Sequence, residues 1–252
     1  GSASPLVSPA HAKDSSGARD GMPHRRYAGT VLYLSGPTEE VGREDFTVTI
    51  QPDGLRTMRV LCELRPQKMI RDVLLTVDGS WNPIGGFVQL TIRQQVHGAA
   101  WYRFEEHAAI CEGFNVEQGR FSQAYALQQP ANTFGAHPVH CDGWKLARIR
   151  RFKDDLSKMN DGAFTTSTAP MGASGPSLVP LPHDKFTYAY VGREDISVRA
   201  GKLATEHFRF TVNGVGTVID VWAHGEDCIP VRMVASGTKQ YYELSELRGQ
   251  YL

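Results

Sequence analysis

The stretch EDFTVTIQPDGLRTMRVLCEL, residues 44 to 64, contains the pattern that decides the fold. Apolar residues alternate with polar ones at Phe46, Val48 and Ile50, which is typical of a strand with one buried face. A Pro-Asp-Gly turn signal then follows, and a second strand-like run begins directly after it. The stretch therefore predicts an antiparallel hairpin.

Runs of the same kind lie on both sides of this hairpin, and turn residues separate them roughly every 8 to 14 positions. In chain order they include RYAGTVLYLSG, MIRDVLLTVDGSWNP, GGFVQLTIRQQVHG, KFTYAYVGREDISV, HFRFTVNG, GTVIDVWAHG, CIPVRMVASG and KQYYELSEL. So many antiparallel strands leave two exposed edges unless the sheet closes on itself. We therefore expect an all-β chain that forms an antiparallel, lipocalin-like β-barrel of about ten strands, whose interior holds one small ligand.

Three segments depart from the strand pattern. In WKLARIRRFKDDLSKMN, residues 144–160, apolar residues recur at helical spacing between charges, which predicts the one helix. Residues 160–184 are rich in Gly, Ser, Thr and Pro and predict a long flexible loop. Residues 1–24 contain few large apolar residues, which is typical of a disordered arm or a tag. The expected organisation is therefore a single barrel domain over residues 25–252.

The composition excludes several classes of protein. Lys plus Arg and Asp plus Glu number 27 each, so a chain with zero net charge offers no overall field for nucleic acid. No apolar run approaches the roughly 20 residues that a membrane-spanning helix needs. The sequence contains no GxGxxG, P-loop, GxSxG or HExxH motif, so we expect neither a nucleotide nor any other cofactor.

The cysteines bear on the cellular compartment. The chain has four of them and none belongs to a CxxC pair, which is typical of reduced, half-buried thiols. A cytoplasmic location is therefore favoured. The sequence Ala10-His11-Ala12 matches a signal-cleavage pattern without the apolar core of a signal, and it leaves a periplasmic or secreted location as the alternative.

The stretch FGAHPVHCDGW, residues 134–144, is the densest in reactive side chains. His137, His140 and Cys141 are zinc-type donors, but their spacing demands no metal and we expect none. In a second interpretation Asp142 orients one of the histidines and raises its basicity, so that the pair works as an acid/base unit. In a third, the stretch is an ordinary turn in which Asp142 is the N-cap of the helix.

The stretch WYRFEEHAAICEG, which begins at Trp101, offers a second group. On a strand, Trp101 and Arg103 share one face with His107, while Tyr102 shares the other with Phe104. Either the first face lines the pocket and recognises a polar group of the ligand, or it faces solvent while the second face fills the core. The register decides between these alternatives, because a slip of one residue exchanges the two faces.

The last third of the chain also resembles a known family. The runs ISVRAGKLATEHFRFTV and VIDVWAHGEDCIPVRMVASGTKQYYELSEL, with the earlier GPTEEVGREDFTVTI, are similar to a bacterial β-rich family of unknown function. Its members look like lipocalin or lipoprotein-carrier barrels. The resemblance covers about half of the chain. It implies a pocket for an apolar ligand and transfers no catalytic residue, since a fold does not imply a function.

Together these patterns favour a cofactor-independent acid/base enzyme, namely an isomerase, a lyase or dehydratase, or a cyclase. Its substrate would be a bulky apolar or aromatic small molecule held in the barrel pocket. The expected catalytic residues are His137, His140, Asp142 and His107. The expected substrate-binding residues are Trp81, Trp101, Tyr102, Arg103, Trp144 and Trp222. A non-catalytic carrier of a hydrophobic ligand is the alternative, and such a carrier keeps its affinity when a histidine is replaced.

Overall fold

The computed structural model describes residues 24–159, 162–166 and 175–249. The first half of the chain forms β1 (Arg25–Ser35), β2 (Glu39–Ile50), β3 (Arg56–Leu64), β4 (Met69–Val77), β5 (Pro83–Ile92), β6 (Gln95–Phe104), β7 (Ala108–Asn115) and β8 (Gly119–Ala126). The middle forms β9 (Thr133–Gly135), α1 (Val139–Arg151), a 3₁₀ turn (Leu156–Met159), β10 (Ala163–Thr166) and β11 (Leu178–Pro180). The last part forms β12 (Phe186–Val198), β13 (Gly201–Val212), β14 (Thr217–His224), β15 (Ile229–Ala235) and β16 (Gln240–Gly249).

Thirteen of these strands form one antiparallel sheet. Its order is β12-β13-β14-β15-β16-β1-β2-β3-β4-β5-β6-β7-β8, so β1 lies inside the sheet and pairs with both β2 and β16. The three strands β11-β10-β9 form a second, small sheet. The prediction of an all-β chain with one α-helix is confirmed. The closed barrel of about ten strands is wrong, because β8 and β12 are the two edges of an open sheet.

The hairpin that residues 44–64 predict is present, and it consists of β2 and β3. Phe46 lies opposite Val60 and Val48 lies opposite Met58 across β2 and β3. All four side chains are buried on the inner face of the sheet, as their alternation requires. Ile50 continues this buried row.

Each edge of the sheet meets another element of the chain instead of the opposite edge. At β8, the Gln123 side chain accepts the Leu178 backbone N–H of β11 at 2.8 Å and donates to its carbonyl at 3.2 Å. On the other side, the tip of the β12–β13 hairpin reaches β16, where the Ala200 N–H donates to the Leu244 carbonyl at 3.2 Å. The sheet therefore stays open, with each end in contact with another element of the chain.

Helix α1 packs against the inner face and differs from the prediction at both ends. It begins at Val139 instead of residue 144, because Pro138 has φ −55° and ψ 144° and presets the entry into the helix. The helix ends at Arg151, since the exposed residues 153–155 have no apolar side chain to bury. The helix–sheet contact is close at Gly143, where an added Cβ would lie 2.5 Å from the Cys228 carbonyl oxygen.

The predicted flexible loop at residues 160–184 contains two strands, β10 and β11. The β10 strand pairs with both β9 and β11, so the backbone hydrogen bonds of this segment are made within the second sheet. Residues 160–161 and 167–174 of the predicted loop lie outside the described residues. The same holds for residues 1–23, on which the predictions of a disordered arm and of a cleavage pattern fall. Within the described part of the chain, no helix has the length and apolar character needed to cross a bilayer.

Candidate functional site

The stretch FGAHPVHCDGW joins β9 to the first turns of α1. His140 is fully buried there, and its ring stacks on Phe46 with centroids 4.0 Å apart. The Tyr27 hydroxyl lies 3.3 Å from His140 Nε2. Burial lowers the pKa of His140 to about 3, so the imidazole is neutral at physiological pH. Its position is that of a packed core residue.

His137 lies one turn earlier, in a left-handed backbone conformation with φ 74°. Its Nε2 lies 2.9 Å from the Thr166 carbonyl oxygen of β10. Burial, followed by the nearby Arg71 guanidinium, lowers the pKa of His137 to about 4. Both histidines are therefore weak bases at neutral pH, since an imidazole with a depressed pKa has little affinity for a proton.

Asp142 pairs with neither of these histidines. Its carboxylate accepts a hydrogen bond from Lys145 Nζ at 2.6 Å, one helical turn further on. The expected Asp142–histidine pair is therefore replaced by a pair on the helix surface. The alternative role as N-cap is also wrong, because Asp142 lies in the first turn and Pro138 takes the N-cap position.

The possible zinc donors of this stretch face different partners. His137 contacts Thr166, whereas Cys141 Sγ donates to Met58 Sδ at 3.7 Å. His140 contacts Tyr27. Across the residues that the structure describes, no group of three or more His, Cys, Asp or Glu side chains is arranged to hold a metal ion.

The second stretch, WYRFEEHAAICEG, follows the solvent-facing alternative. Tyr102 and Phe104 are buried on the inner face, where the Tyr102 hydroxyl lies 2.9 Å from Thr166 Oγ1. Trp101 is 64% exposed on the opposite face. Arg103 pairs with Glu105 at 2.9 Å in solvent, and the His107 side chain is 74% exposed. Trp101, Arg103 and His107 therefore do not line the interior, because the register turns their face outward.

The remaining tryptophans are divided between the two faces. Trp81 and Trp144 meet on the inner side with ring centroids 6.0 Å apart. Trp222 lies on the outer face of β14, where it stacks on His207 at 4.4 Å and its Nε1 donates to Glu194 at 2.6 Å. The six expected substrate-binding residues therefore do not form one pocket.

A buried polar group that the sequence analysis did not single out crosses three adjacent strands. Glu44 on β2 lies opposite Cys62 on β3, which lies opposite Arg71 on β4. All three are buried beside the start of α1. Tyr33 connects the first two, because its hydroxyl donates to Glu44 Oε2 at 2.8 Å and lies 3.3 Å from Cys62 Sγ. The Arg71 guanidinium donates to the same sulfur at 3.9 Å.

Glu44 also caps the helix. Its two carboxylate oxygens accept the backbone N–H groups of Val139 and His140, each at 2.8 Å. Burial raises the pKa of Glu44 to about 7, although the Tyr33 and backbone hydrogen bonds oppose this shift. The sequence contains a signal for the burial of Glu44. This residue continues the alternate positions of Phe46, Val48 and Ile50 and so belongs to the buried face of the strand.

Tyr33 also lines a cavity of about 290 Å³. The cavity opens where the β3–β4 and β15–β16 turns approach β1 and β2. Its lining residues are Tyr33, Leu34, Val41, Leu64, Pro66, Gln67, Gln240, Tyr241 and Tyr242. By contrast, two spaces between α1 and its neighbours, one beside Trp81 and one beside Tyr188, measure only about 10 and 20 Å³. Two larger spaces, of about 470 and 720 Å³, are lined by several charged residues, among them Arg150 and Glu194 in the first and Arg65 and Lys68 in the second. The interior beneath the helix is therefore filled, and the cavity beside Tyr33 differs from the two larger spaces because no charged residue lines it.

Comparison with known proteins finds similarity at the level of structure. No family model and no curated protein matches the chain. The fold is similar to the crystal structure of a β-barrel-like protein of a domain of unknown function, DUF1849, from Brucella abortus. The identity is 10%, the alignment covers 90% of this chain and 97% of that chain, and the TM-score is 0.47. That protein is bacterial, β-rich and of unknown function, and similarity at this level indicates nothing about what either chain does.

Proposed function

We propose that this protein binds a bulky apolar or aromatic small molecule in the cavity beside Tyr33, which we name the tyrosine pocket. The observation that carries the proposal is the lining of this 290 Å³ cavity, which consists of three tyrosines, three aliphatic residues, one proline and two glutamines. Pockets for small molecules have about this size, and their walls are mostly apolar with a few polar groups.

The lining also supports a ligand without charge. None of the residues that line the tyrosine pocket carries a formal charge. A charged ligand would lose its hydration there without gaining a counter-ion, which is costly. Gln67 and Gln240 supply amide groups that pair with a hydroxyl or carbonyl. We therefore expect a neutral ligand with at most a few hydrogen-bonding groups.

Binding of a neutral fluorescent probe, N-phenyl-1-naphthylamine, tests this proposal. Val41→Trp places a large ring in the pocket, and we expect it to weaken probe binding at least tenfold. The matched control is Val215→Trp, the same substitution at a turn residue that is 71% exposed. Gln240→Trp, at the first residue of β16, provides a second blocking variant if Val41→Trp folds poorly. Absence of probe binding by the unmodified protein, or equal binding by all four proteins, would overturn the proposal.

The acid/base enzyme is the second candidate, and one observation favours it. Glu44 has a pKa of about 7 and accepts a hydrogen bond from Tyr33, whose ring forms part of the pocket wall. A carboxyl group with such a pKa both accepts and releases a proton near neutrality. In this version, Glu44 and Tyr33 replace the histidines as the acid/base pair of a cofactor-independent isomerase, lyase or cyclase.

The two candidates differ in the fate of the ligand. A ligand captured from cell extract is identified by mass spectrometry, and the purified protein is then incubated with an excess of it. A carrier returns the ligand unchanged. An enzyme converts it, and Tyr33→Phe slows the conversion while the probe affinity stays within about twofold. An unchanged ligand after long incubation rejects the enzyme and leaves the binding proposal in place.

A further inference from the structure

The outer face of the sheet contains a row of residues at one level across five adjacent strands. Their register places Arg59 (β3) beside Leu74 (β4), Phe87 (β5), Trp101 (β6) and Glu112 (β7). The row therefore has a cation at one end, an anion at the other and three large apolar side chains between them. We name it the Trp101 row.

This part of the outer face is unusually apolar for a surface in contact with water. Trp101 is 64% exposed, and its ring centroid lies 4.7 Å from that of Phe87. The next row along the same strands begins with Leu61 on β3 and ends with Phe114 on β7, which are 37% and 44% exposed, and Asp72, Gln89 and Ala99 lie between them. The apolar side chains of the two rows together expose roughly 300 to 400 Å² of apolar surface, a patch size that often marks an interaction site.

The two charges at the ends of the row have no ion-pair partner among the residues described. Arg59 and Glu112 are both exposed, and four inter-strand spacings, about 19 Å, separate their strands. They cannot reach each other within one chain. Each therefore ends the apolar row as an isolated charge at the edge of the patch.

We propose that the Trp101 row is the contact surface between two copies of this chain. The two copies would face each other across a two-fold axis that runs parallel to β5, above its outer face. Rotation about this axis reverses the order of the strands and keeps each residue at the same position along the strand direction. Phe87 then meets Phe87 of the second copy, and Leu74 meets Trp101. Arg59 meets Glu112 at both ends, so the row is complementary to itself in size and in charge.

The neighbouring row supports the same axis. The same two-fold rotation brings β3 of one copy opposite β7 of the other. Leu61 of one copy then lies opposite Phe114 of the other. Both are exposed apolar side chains in a single copy. An apolar centre with paired charges at the rim is the usual composition of a protein interface, and two sheet faces pack about 10 Å apart.

A charge exchange tests the proposal, with sedimentation velocity over micromolar to submillimolar concentrations as the measurement. The unmodified protein is expected to dimerise. Arg59→Glu alone and Glu112→Arg alone each place like charges together twice, and we expect each to raise the dimer dissociation constant at least tenfold. The double variant Arg59→Glu/Glu112→Arg restores both pairs and should return this constant to within about threefold of its original value.

Two further variants complete the test. Trp101→Ser should abolish the dimer, whereas Arg248→Glu, at an exposed position on β16, should leave it unchanged. Circular dichroism confirms that each variant is folded. The proposal is overturned by a chain that stays monomeric throughout, by a dimer that persists in Trp101→Ser, or by a double variant as weak as the single ones. Binding of a monomeric chain to lipid vesicles through Trp101 would assign the face to a membrane surface instead, and it also overturns the proposal.

Discussion

The Glu44 carboxylate accepts the backbone N–H of His140 at 2.8 Å across 96 positions of the sequence. A strand thus supplies the cap that α1 lacks, since no side chain of the helix itself caps its first turn. An anion at a helix N-terminus is favoured by the unpaired N–H groups and by the helix dipole. The attachment of the helix to the sheet therefore depends on one buried carboxyl group, and its ionisation is expected to affect stability.

Glu44→Gln should change how stability depends on pH. The folded-state pKa of Glu44, about 7, is raised above the ordinary value of 4.5 by burial, so the folded protein binds this proton more tightly than the unfolded chain. Its contribution to stability is fully present below pH 4.5 and is lost as the pH rises through 7. Between pH 5 and pH 8 the loss is on the order of 3 kcal/mol, and a glutamine removes it. Urea unfolding at both pH values measures this difference, with Glu39→Gln, an exposed residue of the same strand, as the control.

His140→Phe should make the protein more resistant to acid. Burial lowers the pKa of His140 from 6.5 to about 3, so its contribution to stability is present above pH 6.5 and is lost as the pH falls towards 3. A phenylalanine keeps the stacking on Phe46 and has no proton to bind. We expect the variant to lose about 3 kcal/mol less free energy of unfolding between pH 7 and pH 4. The same loss in both proteins would contradict this account, and His107→Gln, at an exposed turn, serves as the control.

Asp227→Ala should be strongly destabilising. The Asp227 side chain is fully buried and pairs with Arg56 at 2.8 Å and with Arg25 at 3.4 Å. The Arg56 guanidinium also lies 3.9 Å from the centre of the Trp81 ring. Removing one partner leaves a buried charge without compensation, and such changes cost about 3 to 5 kcal/mol.

The control for Asp227 is the exposed pair of Arg103 and Glu105, whose side chains are 67% and 50% exposed. Glu105→Ala should lower the free energy of unfolding by less than about 1 kcal/mol. Chemical denaturation of both variants gives the comparison. Equal effects would show that the Asp227 cluster adds nothing beyond an ordinary surface ion pair.

The four cysteine thiols should be inert in the folded protein. All four are buried and none forms a disulfide. Burial raises the pKa of Cys62 to about 11 and that of Cys228 to about 12, so the reactive thiolate is scarce at pH 8. We expect negligible reaction with Ellman's reagent under native conditions and four reactive thiols in guanidinium chloride. Rapid labelling of one thiol in the native state would reveal an opening of the structure around it.

Alternation along the strands was sufficient to predict the fold class and the hairpin around Pro52. The same parity rule places Glu44 on the buried face, but the function of that carboxyl as a cap depends on α1, some 95 residues away. The predicted start of the helix at residue 144 is wrong for the same reason. Asp142 has the side chain of an N-cap residue, whereas the carboxylate that caps the helix belongs to Glu44 on β2. The sequence pattern places Trp101 in a pocket, but Trp101 faces outward because β5 and β7 set the register of β6.

Local sequence pattern also does not specify whether a sheet of this many strands closes. A period of two residues predicts strands, but it does not specify which strands pair across long distances. The pairing of β1 with β16, and the arrival of β11 at the β8 edge, both depend on contacts between remote segments. Such contacts leave no trace in the spacing of apolar residues.

The pairing of β1 with β16 has a consequence for synthesis of the chain. Among the strands of this sheet, β1 leaves the ribosome first, yet its second neighbour, β16, leaves last. Until then, β1 remains an unpaired edge of the growing β1–β8 sheet and is open to association with other nascent chains. Folding should therefore be slow and finish only after β16 has emerged, as expected when strands distant in sequence must meet. Chaperones that shield exposed strands would act mainly on this interval.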